Sequence, residues 1–237
     1  MEIILKEEEN TPQIIYKKQY IDYNCTHNQK AENILNNLKF DSDEIFILGG
    51  GTSLENFDFD LLRNKITLGI NKSFLEFEST LNYSMDSIFY DRIHKDLHIR
   101  NKWLNSKSIK LFLSPLEMKK FQNDVYIIKR CLKQNVHNEG IQKGIYGGSN
   151  SAFGAIQLSI ALGFKKIYLL GYDFCISNDK THWHEGYNNR DINDFQVQLD
   201  RYLKQIELFS DIWEKLGVNI FNCNPNSKLK CFSFVKI

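Results

Sequence analysis

The chain has 237 residues, of which 42% are hydrophobic and 25% are charged, and its formal net charge is +1. This composition excludes a disordered chain, and the balanced charge excludes a bulk electrostatic attraction to nucleic acid or to an anionic membrane. We therefore expect a globular protein with a sizeable core and without nucleic acid as a partner.

The cysteines and the N-terminal residues indicate the cellular compartment of the protein. Five cysteines are spread along the chain with no pair at two-residue spacing, which favours a reducing compartment over a disulfide framework or a zinc knuckle. The first residues, MEIILKEEEN, lack the form of a signal peptide, and no stretch reaches membrane-spanning length. A cytoplasmic protein with no membrane span is expected.

The first predicted elements are a lead-in and a strand. Residues 1–43 form an N-terminal lead-in, in which apolar residues at helical spacing predict one helix at Asn28–Leu38. Glu44–Leu48 is an apolar run that ends in the turn Gly49–Ser53, which is typical of a buried strand entering a tight turn. We expect residues 44–237 to form a single domain.

Two more strands are predicted before the sequence becomes harder to interpret. The predicted strand Lys65–Ile70 is followed by Asn71, and the predicted strand Leu81–Met85 is followed by Asp86. Residues 92–142 then mix Lys and Asn with strand-like patches at Ile109–Leu113 and Val125–Ile128. This range is predicted to be an insertion or a mobile flap.

The C-terminal half has the strongest patterns. They are a helix of small residues at Asn150–Leu162, an apolar strand at Lys166–Gly171 that ends at Asp173, a long amphipathic helix at Asp191–Leu216 and a last strand at Val218–Asn222. The apolar stripe of the long helix is interpreted as core, with a homo-oligomer contact as the alternative.

These alternating strands and helices predict an α/β, Rossmann-like fold, with a mostly parallel sheet and helices on both faces. Ligands of such sheets bind at the carboxyl ends of the strands. The Gly49–Ser53 turn, Asn71, Asp86 and Asp173 all fall at that edge, so we expect the chemistry there. The two aspartates are predicted to bind ribose hydroxyls or a metal, or only their own turn backbone. Asp173 is the better candidate of the two and is predicted to be a catalytic residue together with the histidines.

Gly49-Gly50-Gly51-Thr52-Ser53 is a candidate phosphate-binding turn. Glycines allow a phosphate to approach the backbone amides, and the two hydroxyls add donors. The sequence is neither a Walker A motif nor G-x-G-x-x-G. The alternative is a tight turn with no ligand.

Gly147-Gly148-Ser149-Asn150-Ser151 is a second Gly-rich turn, and it opens the small-residue helix. Free amides at a helix N-terminus attract anions, so this turn is a second candidate for phosphate binding. The alternative is that Ser149 or Asn150 only caps the helix.

The stretch Thr181–Gly186 carries His182 and His184 beside a carboxylate. One histidine is predicted to act as a general base, and a divalent metal held together with Asp173 or Asp86 is the weaker alternative. Cys175 is interpreted as a small buried residue because no group is identified that would orient a Cys–His pair.

Four segments together resemble a known superfamily: ILGGGTSLENFDFDLL, ITLGINKSF, YGGSNSAFGAIQLSIALGFKKIYLLGYDF and CNPNSKLKCF. The superfamily unites bacterial CMP-sialic acid sialyltransferases, flagellin-modifying motility accessory factors and MptE-like pterin diphosphokinases. The resemblance runs from about residue 44 to residue 232. The Thr181–Gly186 stretch is most similar to uncharacterised members that are often carried by phages or prophages.

The resemblance to the sialyltransferases implies a GT-A-like variant of the Rossmann-like fold, a CMP-sugar donor and a glycan or small-molecule acceptor. It also implies that the transfer inverts the configuration at the anomeric carbon and does not require a metal. By position, the Gly49–Ser53 turn would meet the nucleotide, Asn71 and Ser151 would contact the donor, and His182 or His184 would deprotonate the acceptor hydroxyl.

The chain departs from that family at three positions. Gly50 stands where the family has Asn, and Cys175 and roughly Thr181 stand where it has two tyrosines that steady the leaving phosphate. Developing charge on that phosphate still needs stabilisation, for which Lys180, Arg190 or a metal ion are the candidates.

Three functions remain open from the sequence. The first is a nucleotide-sugar-dependent glycosyltransferase with a CMP-linked donor. The second is an MptE-like 6-hydroxymethylpterin diphosphokinase that uses ATP and Mg²⁺. The third is a non-catalytic nucleotide-binding or virion-associated protein.

Overall fold

The computed structural model describes residues 38–114, 125–130, 144–177, 179–184 and 191–237. The helix predicted at 28–38 lies outside these residues except for its last position. Strands within them are β1 (Glu44–Leu48), β2 (Thr67–Ile70), β3 (Leu81–Ser84), β4 (Ile109–Ser114), β5 (Val125–Lys129), β6 (Lys166–Leu170), β7 (Asn219–Asn222) and β8 (Ser233–Phe234). Helices are α1 (Ser87–Lys95), α2 (Leu97–Asn105), α3 (Ser151–Ala161) and α4 (Ile192–Lys215).

The strands form one parallel sheet in the order β5-β4-β3-β2-β1-β6-β7-β8. This confirms the predicted Rossmann-like α/β fold. The chain moves outward from β1 to β5 and then returns to the other side of β1 with β6. The strand order therefore reverses between β1 and β6, which is where sheets of this type bind ligands.

Both faces of the central strands are covered, which explains their continuous apolar sequences. In β1, Ile45 and Ile47 belong to the main core with α3 and α4, whereas Phe46 and Leu48 point to a smaller cluster on the opposite face. Successive side chains of a strand alternate between the two faces. A strand buried on both faces therefore needs apolar residues at every position.

The two long helices bury their apolar residues against the sheet. Helix α3 is buried continuously from Phe153 to Ile160, as its small-residue composition predicted. Helix α4 buries Ile206, Phe209 and Trp213 in the main core, so its apolar stripe packs there. None of the helices in the described ranges is long and apolar enough to cross a membrane.

The range 92–142, predicted as an insertion or flap, contributes mostly regular structure in its described part. Both of its strand-like patches are strands, β4 and β5, which extend the sheet beyond β3. Helix α2, which was not predicted, precedes them. Residues 115–124 and 131–143 lie outside the described part, and the division into a lead-in and one domain stays a prediction.

The fully buried Leu169, at the centre of β6, tests the packing of the sheet. We expect Leu169→Ala to lower the free energy of unfolding by about 3 kcal/mol, because it removes buried methyl groups and leaves a cavity. Urea denaturation measures this change. The control is Leu208→Ala on the outer face of α4, where the side chain is 62% exposed and the expected change is within about 0.5 kcal/mol. Equal losses in the two variants would contradict the assigned burial.

Candidate functional site

A cavity of about 360 Å³ opens at the carboxyl edge of the sheet, beside the point where the strand order reverses. It is bordered by the residues that follow β1, β2, β3 and β6, by the first turn of α3, by residues 181–184 and by one face of α4. Of the predicted site residues, Gly49, Gly50, Gly51, Asn71, Asp86, Ser149, Asn150, Ser151, Asp173, His182 and His184 line it, whereas Thr52, Ser53 and Gly148 do not. The two Gly-rich turns and the histidines therefore meet at one site.

The first Gly-rich turn is bound to the end of β6. The amides of Gly49 and Gly51 donate to the carbonyls of Leu170 and Gly171, both at 2.8 Å. A Cβ atom on Gly49 would lie 2.6 Å from the Gly171 carbonyl oxygen. The prediction that the glycines turn their amides toward a ligand is therefore corrected for these two, because their amides hold β1 to β6.

Asp173 fastens the same turn from the β6 side. Its side chain is buried, and its two oxygens accept from the Ser53 amide at 2.8 Å, the Ser53 hydroxyl at 2.6 Å and the Asn224 side-chain amide at 2.7 Å. These contacts are those of a positioning residue. The catalytic role predicted for Asp173 stays a prediction. Asn224 was not among the predicted site residues, although it lies in the CNPNSKLKCF segment.

The second Gly-rich turn presents the N-terminus of α3 to the cavity. Asn150 caps the helix by accepting from the Phe153 amide at 2.8 Å, as the capping alternative predicted. Gln205 of α4 accepts from the Ser149 amide and hydroxyl at 2.9 and 2.8 Å and so holds the turn in place. The amides of Ser151 and Ala152 belong to the first turn, which has no intrahelical acceptor, and they lie at the positive end of the helix dipole.

Two residues at the cavity have strained backbones. Asn71 and Phe174 adopt φ angles of 52° and 53°. Asn tolerates this left-handed conformation, but a bulky residue does so at a cost, and such strain clusters at functional sites. The Asn71 oxygen accepts from the Ser84 hydroxyl at 2.7 Å, which assigns the orientation of the side-chain amide and leaves its NH₂ group as a donor at the cavity.

Asp86 lines the cavity next to Asn71 but also has a local role. Its carboxylate accepts from the Ile88 amide at 2.9 Å and caps α1. This is the turn-backbone contact that the sequence offered as one alternative. Binding of a ribose or a metal by Asp86 stays a prediction, and the described residues contain no group of three or more potential metal ligands.

The histidine loop lies against the first Gly-rich turn. The His182 ring is so close to Gly50 that a Cβ atom there would meet its Cδ2 atom at 2.7 Å. His182 Nδ1 is 3.0 Å from the Thr181 hydroxyl. The rings of His184 and Phe195 are 5.6 and 5.4 Å from the His182 ring. Gly50 therefore makes room for an imidazole at the edge of the cavity.

One wall of the cavity was missed by the sequence analysis. Helix α4 contributes Phe195, Gln198, Leu199 and Tyr202 to the lining, although its apolar stripe was interpreted as core, with a homo-oligomer contact as the alternative. Gln198 and Tyr202 are four residues apart and so lie on one face of the helix. In the sequence, only the polar groups of Gln198 and Tyr202 beside the apolar stripe of α4 could have indicated that this helix lines a site.

Cys175 and Thr181, two of the three positions that depart from the sialyltransferase pattern, line the cavity, as does the third, Gly50. Burial raises the pKa of the half-buried Cys175 thiol, and the negative charge of Asp173 raises it further. A raised pKa reduces the thiolate population, which disfavours a nucleophilic role for Cys175.

Comparison with known proteins adds a fold likeness. The α-2,3-sialyltransferase Cst-I from Campylobacter jejuni is similar over 84% of this chain and 82% of its own, with 18% identity and a TM-score of 0.51. A variant of the sialyltransferase Cst-II in complex with CMP is similar over 80% and 84%, with 16% identity and a TM-score of 0.48. At these identities, the likeness to Cst-I shows the fold alone. No family model and no curated protein matches the chain.

Replacing Asp173 with Asn tests its role in holding the turn. Both carboxylate oxygens of Asp173 accept hydrogen bonds from Ser53 or Asn224. In Asn, an NH₂ group replaces one of these oxygens and would face a donor, so at least one hydrogen bond would be lost. We expect Asp173→Asn to lower the free energy of unfolding by about 2–3 kcal/mol. The control is Asp86→Asn, which we expect to stay within about 0.5 kcal/mol because Asn caps helices about as well as Asp does. A neutral Asp173→Asn in urea denaturation would contradict the assigned network.

Proposed function

We propose that this protein is a glycosyltransferase that transfers a sugar from a CMP-linked donor to a hydroxyl group of a glycan acceptor. The observation that carries the proposal is the meeting of two Gly-rich turns and a histidine loop at one cavity, beside the reversal of strand order. The fold likeness to Cst-I is consistent with it. The cavity volume of about 360 Å³ falls within the usual range for small-ligand sites.

The electrostatics of the cavity support a donor with a single phosphate. The positive end of α3 carries roughly half a unit charge, and the Asn71 side chain and the first-turn amides add neutral donors. The formally charged groups among the described lining residues are the carboxylates of Asp86 and Asp173. This balance suits the single negative charge of a CMP-linked donor better than the larger charge of a diphosphate or triphosphate.

We assign the general base to His182 rather than His184. His182 is half-buried at the cavity edge, whereas His184 is 7% exposed. In the reaction, the acceptor oxygen would form a bond to the anomeric carbon and its proton would pass to His182. The bond between that carbon and the phosphate oxygen breaks, and its electron pair stays with the departing CMP. Amides at the start of α3 would stabilise the phosphate.

Lys180 and Arg190 were the other side chains expected to stabilise the leaving phosphate. The ammonium group of Lys180 forms an ion pair with Glu55, and Arg190 lies outside the described residues. The diphosphokinase and the non-catalytic protein stay alternatives without a structural observation that favours them. Magnesium-dependent release of AMP from ATP with a hydroxymethylpterin would point to the diphosphokinase.

Binding and turnover test the proposal in sequence. Isothermal titration calorimetry should detect CMP binding and weaker binding of CDP, UDP and GDP, and no CMP binding at millimolar concentration would refute the proposal. With a CMP-sugar as substrate, we expect His182→Gln to lower kcat by about 100-fold or more.

The same His182→Gln variant should bind CMP with a Kd within about threefold of the unmodified protein, because the base is not needed for phosphate binding. His98→Gln is the matched control, since His98 lies on the exposed side of α2. Equal effects of the two substitutions on kcat would exclude His182 as the base. No turnover by the unmodified protein despite tight CMP binding would favour the non-catalytic alternative.

A further inference from the structure

Trp183 stands between the two histidines and is bonded to the first Gly-rich turn. Its indole Nε1 donates to the Gly49 carbonyl at 2.9 Å, and its backbone amide donates to the Gly50 carbonyl at 3.2 Å. The indole ring stacks on Phe59 with ring centroids 5.1 Å apart. Trp183 is thus held from one side by packing and binds consecutive carbonyls of the turn on the other.

The indole bond also determines where the Gly50 amide points. The Gly49 carbonyl and the Gly50 N–H belong to one planar trans peptide, so they point in opposite directions. Holding the carbonyl against Trp183 therefore directs the Gly50 N–H away from Trp183. Unlike the amides of Gly49 and Gly51, the Gly50 amide donates no hydrogen bond to a described backbone carbonyl, and Gly50 lines the cavity.

A peptide between two glycines has little intrinsic preference for one orientation. Glycine reaches both signs of φ at similar cost, so the Gly49–Gly50 peptide can flip unless something holds it. The remaining bonds of the turn hold the peptides on either side, through the amides of Gly49 and Gly51. Within the described part of the chain, the hydrogen bond from the Trp183 indole to the Gly49 carbonyl is the contact that fixes this peptide.

We propose that Trp183 is a positioning residue that directs the Gly50 N–H at the anionic group of the bound ligand. The identity of that group as the phosphate of a CMP-linked donor rests on the proposed function. The inference assigns the tryptophan of the histidine loop to phosphate binding, although its side chain does not itself line the cavity.

The test compares CMP with cytidine, which lacks the phosphate. Trp183→Phe keeps an aromatic ring for Phe59 and removes the indole donor. We expect it to weaken CMP binding about tenfold, as for loss of one hydrogen bond to a charged group, and to leave the Kd of cytidine within about twofold. A general structural defect would weaken both ligands alike. A CMP-to-cytidine affinity ratio that stays unchanged in Trp183→Phe would overturn the proposal.

The chain offers a matched control in Trp103→Phe. Trp103 is buried and Trp183 is partly buried, but the indole nitrogen of Trp103 has no hydrogen-bond partner among the described residues, and Trp103 packs in a different cluster. We expect no change in the affinity ratio. Phe59→Leu removes the stacking partner and leaves both Trp183 hydrogen bonds possible, so it should also leave the ratio unchanged. If Phe59→Leu lowers the CMP-to-cytidine affinity ratio as much as Trp183→Phe does, the effect comes from packing and the proposal is overturned.

Failure of the proposed function is separable from failure of this inference. If the unmodified protein does not bind CMP, the proposed function fails, and titration with inorganic phosphate then tests the inference. NMR of glycine-labelled protein should show the Gly50 amide signal shifting with phosphate in the unmodified protein and in Trp103→Phe, but not in Trp183→Phe. A Gly50 signal that does not respond to phosphate in the unmodified protein would overturn the inference as well.

Discussion

The contact between the ends of β1 and β6 is the constraint on which the site depends. Parallel strands bring their carboxyl ends together, but here the turns themselves are joined by the Gly49 and Gly51 amides and by the Asp173 carboxylate. This closure fixes the turn without using a ligand. The site is therefore largely preorganised, which reduces the entropy that binding must overcome.

Helix α4 joins the two sides of the cavity. Near its start, Gln196 accepts from the Ile176 amide and donates to the Phe174 carbonyl, both at 3.2 Å, and so holds the loop after β6. Further along, Gln205 holds the turn before α3. Of the lining residues of α4, Gln198, Leu199 and Tyr202 lie between these two contacts, and Phe195 directly precedes the first. A rigid helix thus sets the distance between the β6 loop and the α3 N-terminus.

The sequence predicted the parts of the fold whose signals are local. β1 and β6 are apolar at successive positions because both faces are buried, and Asn150 and Gly163 mark the ends of α3. β8 was missed because its two residues are exposed and carry no pattern. Helices α1 and α2 were missed although Asp86 and Asp96 cap them, since each has only nine residues and its apolar pattern is correspondingly short.

The candidate site was predicted in position but not in the role of each residue. The carboxyl-edge rule placed the first Gly-rich turn, Asn71, Asp86 and Asp173 at one edge of the sheet, and the structure has them there. The reason for the glycines could not be read from the sequence, because the groups that require them, the Gly171 carbonyl and the His182 ring, are distant along the chain. The same holds for Asp173, whose donors Ser53 and Asn224 come from two other segments.

The central claim is that the two Gly-rich turns bind one phosphate between them. A crystal structure with bound CMP tests it most directly. We expect the phosphate to lie within hydrogen-bond distance of the Gly50 amide and of the first-turn amides of α3, with an imidazole of the histidine loop at the same cavity. CMP bound with its phosphate in contact with neither turn would contradict this placement.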